Sequence, residues 1–186
     1  MLIGISGKIG VGKSTLASYL ADSYGFARFA VADELKMLCH DYFRTPLGDR
    51  SCKPMRPHDR DILQRTGRLF REFHPDIWIN RLDENIRTTR GNDPDLWEVV
   101  VDDIRYLNEV HWVKRNGGLL IRILDNTATA GDKHESEIDL DNFYGWDGVY
   151  QRRVGSTPIE MFLFADDVLR RYAERYSQAI LAEQDD

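Results

Sequence analysis

Hydrophobic residues open the chain as a short run, Leu2, Ile3 and Ile5, that stops at Ser6-Gly7 and gives way to glycines at positions 7, 10 and 12. Such a run predicts a buried strand, and the glycines predict the loop that leaves it. From Lys13 the period changes, with Leu16, Ala17, Leu20 and Ala21 on one stripe of a helix that Tyr24-Gly25 ends. Phe26 to Ala32 is short, aromatic and β-branched, which predicts a second strand. Asp33 stands where it would cap a helix running through Leu35, Leu38 and Tyr42. The order begins strand, helix, strand, helix.

Residues 45–57 are polar and hold three prolines, which predicts a mobile loop. Helical spacing resumes at Ile62, Leu63, Leu69, Phe70 and Phe73, breaks at His74-Pro75, and restarts through Trp78, Ile79, Leu82 and Ile86. After a turn at Gly91 to Asp95, Trp97 to Val101 is continuously apolar and ends in Asp102-Asp103, as a central parallel strand buried on both faces would. A helix from Asn108 to Arg115, a Gly117-Gly118 stop and a strand from Leu119 to Ile123 follow. Residues 124–142 are polar and read as a lid excursion; Gly148 to Gln151 is the last strand. Thr157 to Tyr176 closes the chain as a helix with Pro158 in its first turn and Met161, Leu163, Phe164, Val168, Leu169 and Tyr172 inward. This alternation predicts a single α/β domain over 1–186, a three-layer sandwich with a mainly parallel sheet, and the glycine loop that ends at Lys13-Ser14 makes it a P-loop NTPase fold. Its ligands would sit at the carboxyl ends of the strands.

Composition narrows the partners. The 186 residues are 42% hydrophobic, enough for a packed core, and the net charge of −6 disfavours a nucleic acid polymer or an anionic membrane as a bulk partner. Phosphate binding must therefore be local. Cys39 and Cys52 are too few and too far apart for a disulfide scaffold or a CxxC metal site, and read as free thiols of a reducing compartment. The amino end lacks the pattern of a signal peptide, and no run reaches the roughly 20 apolar residues of a membrane span, so the expected location is cytoplasmic.

Gly7-Lys8-Ile9-Gly10-Val11-Gly12-Lys13-Ser14 satisfies G-x-x-x-x-G-K-[ST] between a predicted strand and a predicted helix. Glycines let the backbone wrap a phosphate with its N–H groups turned inward at the positive end of the helix dipole. Lys13 then reaches the β- and γ-phosphates and the Ser14 hydroxyl ligates Mg²⁺. Such a loop serves switches, motors and kinases alike. No Asn-Lys-x-Asp guanine-reading motif occurs, and motors need more chain, which leaves a small kinase.

Arginines suit that reading, because a permanently charged planar group screens repulsion between two anionic substrates. Arg60, Arg65, Arg68 and Arg71 share a predicted helix, where they serve either the cleft or a solvated basic face. Arg105 lies just past the central strand and is better placed. Asp102 or Asp103 holds Mg²⁺ through water; strand alternation sends them to opposite sides, so the other caps a turn. Asp102 is taken as the ligand and Asp103 as a catalytic group beside Lys13 and Arg105, with the choice open. Lys36 meets the acceptor phosphate or covers its helix. His134 to Glu137 forms a polar turn with no metal partner nearby. Trp146-Asp147 is suited to stack on and bond a base, whereas Trp78 and Trp112, at helical spacing, belong to the core.

With the loop, the run Val99 to Glu109 (VVVDDIRYLNE), the run Gly117 to Ile123 (GGLLIRI) and His134-Glu135-Ser136-Glu137 in this order, the chain resembles phage-type deoxynucleoside monophosphate kinases across nearly its whole length. The resemblance implies ATP and Mg²⁺ as cofactors and transfer to a deoxynucleoside 5′-monophosphate. It places the donor against Gly7, Ile9, Gly10, Val11, Gly12, Lys13, Ser14 and Thr15. It places the acceptor against Lys8, Lys36, Gln64, Arg65, Arg105, His134 and Glu137, and we add Asp33, Arg68 and Trp146 to that set. Arg65-Thr66-Gly67-Arg68 and Tyr106-Leu107 depart from the family's commoner Leu-Gly-Thr and Phe-Pro. A kinase like dephospho-coenzyme A kinase and a non-catalytic ATP sensor are the alternatives, and a homodimer is left open.

Overall fold

The computed structural model describes residues 1–44, 57–125 and 139–184. The greater part of the expected loop 45–57 and lid 124–142, with Cys52, His134 and Glu137, lies outside the described residues. Along the chain run β1 (Leu2–Gly7), α1 (Lys13–Tyr24), β2 (Ala27–Phe29), α2 (Asp33–Phe43), α3 (Pro57–Phe73) and α4 (Ile77–Asn92). Then come β3 (Val99–Ile104), α5 (Leu107–Arg115), β4 (Leu119–Asp125), β5 (Gly148–Arg152) and a final helix, here α6 (Pro158–Gln184).

The five strands form one sheet in the order β2-β3-β1-β4-β5, every pair parallel. From β1 at the centre the chain goes first to one edge and then, by way of β4, to the other. The carboxyl end of β1 is therefore the point where the winding reverses, the place such sheets bind ligands. Strand alternation divides the core in two. Ile3, Ile5, Val100, Leu119, Ile121 and Ile123 pack against Leu16 and Leu20 of α1 and Met161, Val168 and Leu169 of α6. On the other face Val99, Val101 and Leu120 pack against α2 to α5 through Leu35, Leu63, Trp78, Leu82, Val110 and Val113. Gly4 faces α5 here, and a Cβ on it would lie 3.0 Å from Ile104 and Val113, so the glycine sets how closely that helix approaches.

α1 ends where Tyr24-Gly25 predicts, with Gly25 in the left-handed region (φ 74°) donating to Ala21 O and the N–H of Phe26 donating to Leu20 O. Several expectations shift. β2 is shorter than Phe26 to Ala32, because Val31 and Ala32 turn to meet Asp103 and Ala32 is the N-cap of α2, with Asp33 as its first residue. β3 starts two residues after Trp97, which is exposed, and contains both aspartates. Leu163 of α6 is 63% exposed. Met161, Ala165, Val168, Leu169 and Tyr172 make the stripe that faces the sheet, and a residue two positions past Met161 is rotated roughly 200° away from it. Tyr42, Leu69 and Phe73 are likewise exposed on their helices.

Candidate functional site

The loop between β1 and α1 is shaped by its glycines. A Cβ on Gly7 would stand 2.5 Å from the Ile123 carbonyl oxygen of β4, so only glycine lets the loop leave the sheet there. Gly12, the N-cap of α1, has φ 108°, a conformation L side chains rarely adopt, and no side chain caps the helix's first N–H groups. Val11 is buried and Ile9 and Thr15 are exposed, so the loop is pinned by one side chain and presents its backbone. Lys13 is buried with its ammonium drawn across the loop, donating to Gly7 O at 2.5 Å and Lys8 O at 2.8 Å. Ser14 is half-buried in the first turn of α1.

Beside the loop, β3 is irregular. Gly4 of β1 pairs with Val101 and Ser6 with Ile104, so one strand spends an extra residue at Asp102-Asp103. A bulge of this kind re-aims side chains. Asp102 follows Val100 to the α1 face, where its Oδ2 accepts from Arg28 Nη2 at 2.9 Å while Arg28 Nη1 donates to Ser18 Oγ of α1 at 2.7 Å. Asp103 turns to the other side and accepts from the N–H groups of Val31 (2.6 Å) and Ala32 (3.0 Å), tying the end of β3 to the start of α2. Burial, and next the Asp102 charge, raise the Asp103 carboxyl above the usual range, against Lys36, the Ala32 N–H and Arg105. Lys36 also pairs with Asp33 at 3.2 Å, so it bends toward the strand ends.

Arg105 follows β3 in a turn fastened from below. Glu109 Oε2 accepts from the N–H of Arg105 (2.6 Å) and of Tyr106 (3.1 Å), the reach of an acid in the third helical position back to its N-cap. Glu109 is buried, and burial followed by the Asp103 charge pushes its carboxyl up to about 8, while those two N–H groups and Arg71 pull the other way. Arg71 of α3 lies 4.2 Å over the Tyr106 ring and donates to the Tyr106 hydroxyl at 2.8 Å.

On β4, Arg122 is 7% exposed and points to the same side as Ser6, whose Oγ accepts from its Nη1 at 3.0 Å. Its Nη2 donates to Asp141 Oδ1 at 3.0 Å, and its guanidinium stands 5.2 Å from the Trp146 ring centre. Lys8 meets the other oxygen of Asp141 at 3.8 Å. A small cleft is lined by Gly7, Lys8, Arg105, Arg122, Ser6 and Leu140. A larger cavity of about 480 Å³ opens at the opposite end of the sheet, beside Met1, Leu2, Val99 and Gly117, far from any of this chemistry.

The structure thus brings Lys8, Lys13 and Arg105 around one strand end, with Asp102 on the α1 face and Asp103 and Lys36 on the other. It does not bring Arg65 and Arg68 there. Both are exposed and pair along α3 with Asp61 and Glu72. Gln64 is half-buried on the same helix. Trp146 is half-buried; its indole N–H donates to Phe143 O at 2.7 Å and its ring meets Phe143 edge-on. Asp147 takes Leu120 N–H and Lys114 at the amino end of β4, away from the loop, so base bonding by that residue is corrected to a structural role. Trp78 and Trp112 are core, as expected. Sequence reasoning gives no role to Glu109 or Arg122 and sets Arg71 no higher than its three neighbours on the helix. Arg122 left a signal: one charge inside the apolar run Leu119 to Ile123, where burial demands partners.

Among the described residues no cluster of His, Cys, Asp and Glu is built to hold a metal by itself, and no helix is long and apolar enough to cross a membrane. Cys39 is a free, buried thiol.

No protein-family model matches the chain. A protein of Acanthamoeba polyphaga mimivirus named "Putative deoxynucleotide monophosphate kinase" is 32% identical to it, over 87% of this chain and 92% of that protein. Among solved structures, the dephospho-CoA kinase of Campylobacter jejuni is similar with a TM-score of 0.51 at 13% identity, covering 94% of this chain and 98% of its own, a likeness of fold. A glycine-bound loop at the winding reversal of a parallel sheet, and a viral relative matched over nearly its full length, lead to one conclusion: the chain belongs to that relative's deoxynucleotide monophosphate kinase family and is a kinase of the P-loop type.

Proposed function

We propose that the chain transfers the γ-phosphate of ATP to a deoxynucleoside 5′-monophosphate. The observation that carries this reading is the second cationic cleft, lined by Lys8, Arg105 and Arg122, directly continuous with the loop through Gly7. A loop that grips one polyphosphate beside a separate cluster of fixed cations suits two anionic substrates held end to end. The relative's name supports the acceptor class.

In this reading the loop amides and Lys13 hold the donor's phosphates, and Lys8, Lys36 and Arg105 hold the acceptor's phosphate. Glu109 fixes the Arg105 turn and Asp103 fixes the turn that carries α2. The Ser14 hydroxyl and the Asp102 carboxylate are hard oxygen donors on the α1 side, the ligand chemistry Mg²⁺ takes, and they would hold it there. Mg²⁺ would neutralise charge on the transferred group. No protein nucleophile is needed.

The test is ADP release by the purified chain with MgATP and each deoxynucleoside monophosphate in turn, with dephospho-coenzyme A in the same panel. Acceptor-dependent ADP with at least one deoxynucleoside monophosphate is expected. Turnover with dephospho-coenzyme A alone would move the activity to that acceptor, and ATP binding with no acceptor-dependent ADP would make the chain a sensor.

A further inference from the structure

We propose that Arg122 and Lys8 form a phosphate-binding pair for the acceptor, and that Asp141 occupies this pair as an internal counter-ion which the acceptor's phosphate displaces. The inference rests on the reading of a phosphorylated acceptor beside the loop.

Arg122 cannot follow its charge into solvent. It is 7% exposed, held by Ser6 Oγ on one side and lying against the Trp146 ring on the other. A buried cation of this kind is costly whenever its counter-anion leaves, so one anion must always face it. Asp141 supplies that anion and reaches Lys8 with its second oxygen, so a single carboxylate bridges a strand residue and a loop residue. Both bridging partners on the open side are exposed, Asp141 at 41% and Lys8 at 45%, and water screens their attraction. A phosphate dianion with three oxygens offers both cations more charge and a better match to the guanidinium fork than a carboxylate does. The exchange needs no backbone movement. Asp139 accepts from Leu107 N–H at 2.8 Å and Leu140 is buried in the core, so Asp141 stands on fixed footing and leaves by side-chain rotation. Arg122 remains paired before and after.

The experiment uses Asp141→Asn and Arg122→Lys in the full chain, with thermal melts to confirm folding. Inorganic phosphate is titrated by calorimetry while MgADP fills the donor site, and acceptor KM is measured with the monophosphate panel. Removing the resident anion should tighten phosphate and lower acceptor KM about three- to tenfold, leaving ATP KM in place. Arg122→Lys, which keeps the charge and loses the fork, should weaken phosphate about tenfold. Unchanged or weaker phosphate binding by Asp141→Asn overturns the proposal. An active kinase with unchanged acceptor KM in that variant sinks the pair and spares the function. A chain that phosphorylates no monophosphate yet shows the gain in phosphate affinity sinks the function and spares the pair.

Discussion

Lys13 concentrates the chemistry in one ammonium. Its side chain is buried along the loop and bonded only a few ångströms from the backbone that would surround a phosphate. Lys13→Ala should lower turnover by about 10² to 10³-fold or more, as losing one preorganised charge does, while far-ultraviolet circular dichroism stays that of the parent. A variant that keeps most of its turnover would contradict the assignment. Glu109 makes a prediction of a different kind. Its carboxyl titrates at about 8 in the folded chain against 4.5 as the ordinary value, so the folded state keeps a proton that the unfolded state has released. Its contribution therefore falls as pH rises from about 4.5 to about 8 and is flat outside that window, with a slope of at most about 1.4 kcal/mol per pH unit. Glu109→Gln should remove that slope in urea unfolding at a series of pH values; parallel curves for the two proteins would show that this carboxyl does not set it. At this scale the sequence is informative where a residue type has one use, as with the loop glycines and Lys13. It is silent where the partner comes from elsewhere. Arg71 is one of four arginines on a helix until Tyr106, 35 positions away, selects it, while Arg65 and Arg68 stay with Asp61 and Glu72.

Between residues and the molecule stand the turns that hold one element to the next. Asp103 is the joint between β3 and α2, accepting two N–H groups of the β2–α2 turn. Asp103→Ala should cost about 1–3 kcal/mol for the buried Val31 donor left without an acceptor, and should raise acceptor KM because Lys36 rides on α2. Asp103→Asn keeps an acceptor oxygen and drops the charge, so it should lose less of both; equal losses in stability and KM would show that the charge, not the joint, matters. Elements with a strong period are legible in the amino-acid pattern alone. The stripe of α1 and the break at His74-Pro75 lie where apolar spacing and backbone rules put them. The bulge in β3 is not legible there, because an extra residue in one strand is defined only by its pairing with β1. It sends the two adjacent aspartates to separate tasks.

For the whole molecule, donor binding and stability should be linked. MgADP at about 100 times its Kd stabilises the folded chain by about 2.7 kcal/mol, a rise in Tm of about 5–10 °C at this size. Lys13→Ala should lose most of the shift in a thermal melt, and a parent chain whose Tm ignores MgADP would remove the donor site from the loop. The net charge of −6 makes the cationic cleft a local feature, so moderate salt should raise acceptor KM more than it lowers kcat. What the sequence determined by itself was local: a strand, a glycine loop and a helix in succession, the alternation that requires a parallel sheet, and the lysine and serine that mark a phosphate. These depend on neighbours within a few positions, where chain geometry allows few outcomes. The tertiary structure alone decided which distant side chains share the cleft. Strand order puts β3 and β4 on either side of β1, and only that arrangement sets Arg105, Arg122 and Asp141 beside Lys8. Pairing across a hundred residues is a property of packing, and no spacing along the chain encodes it.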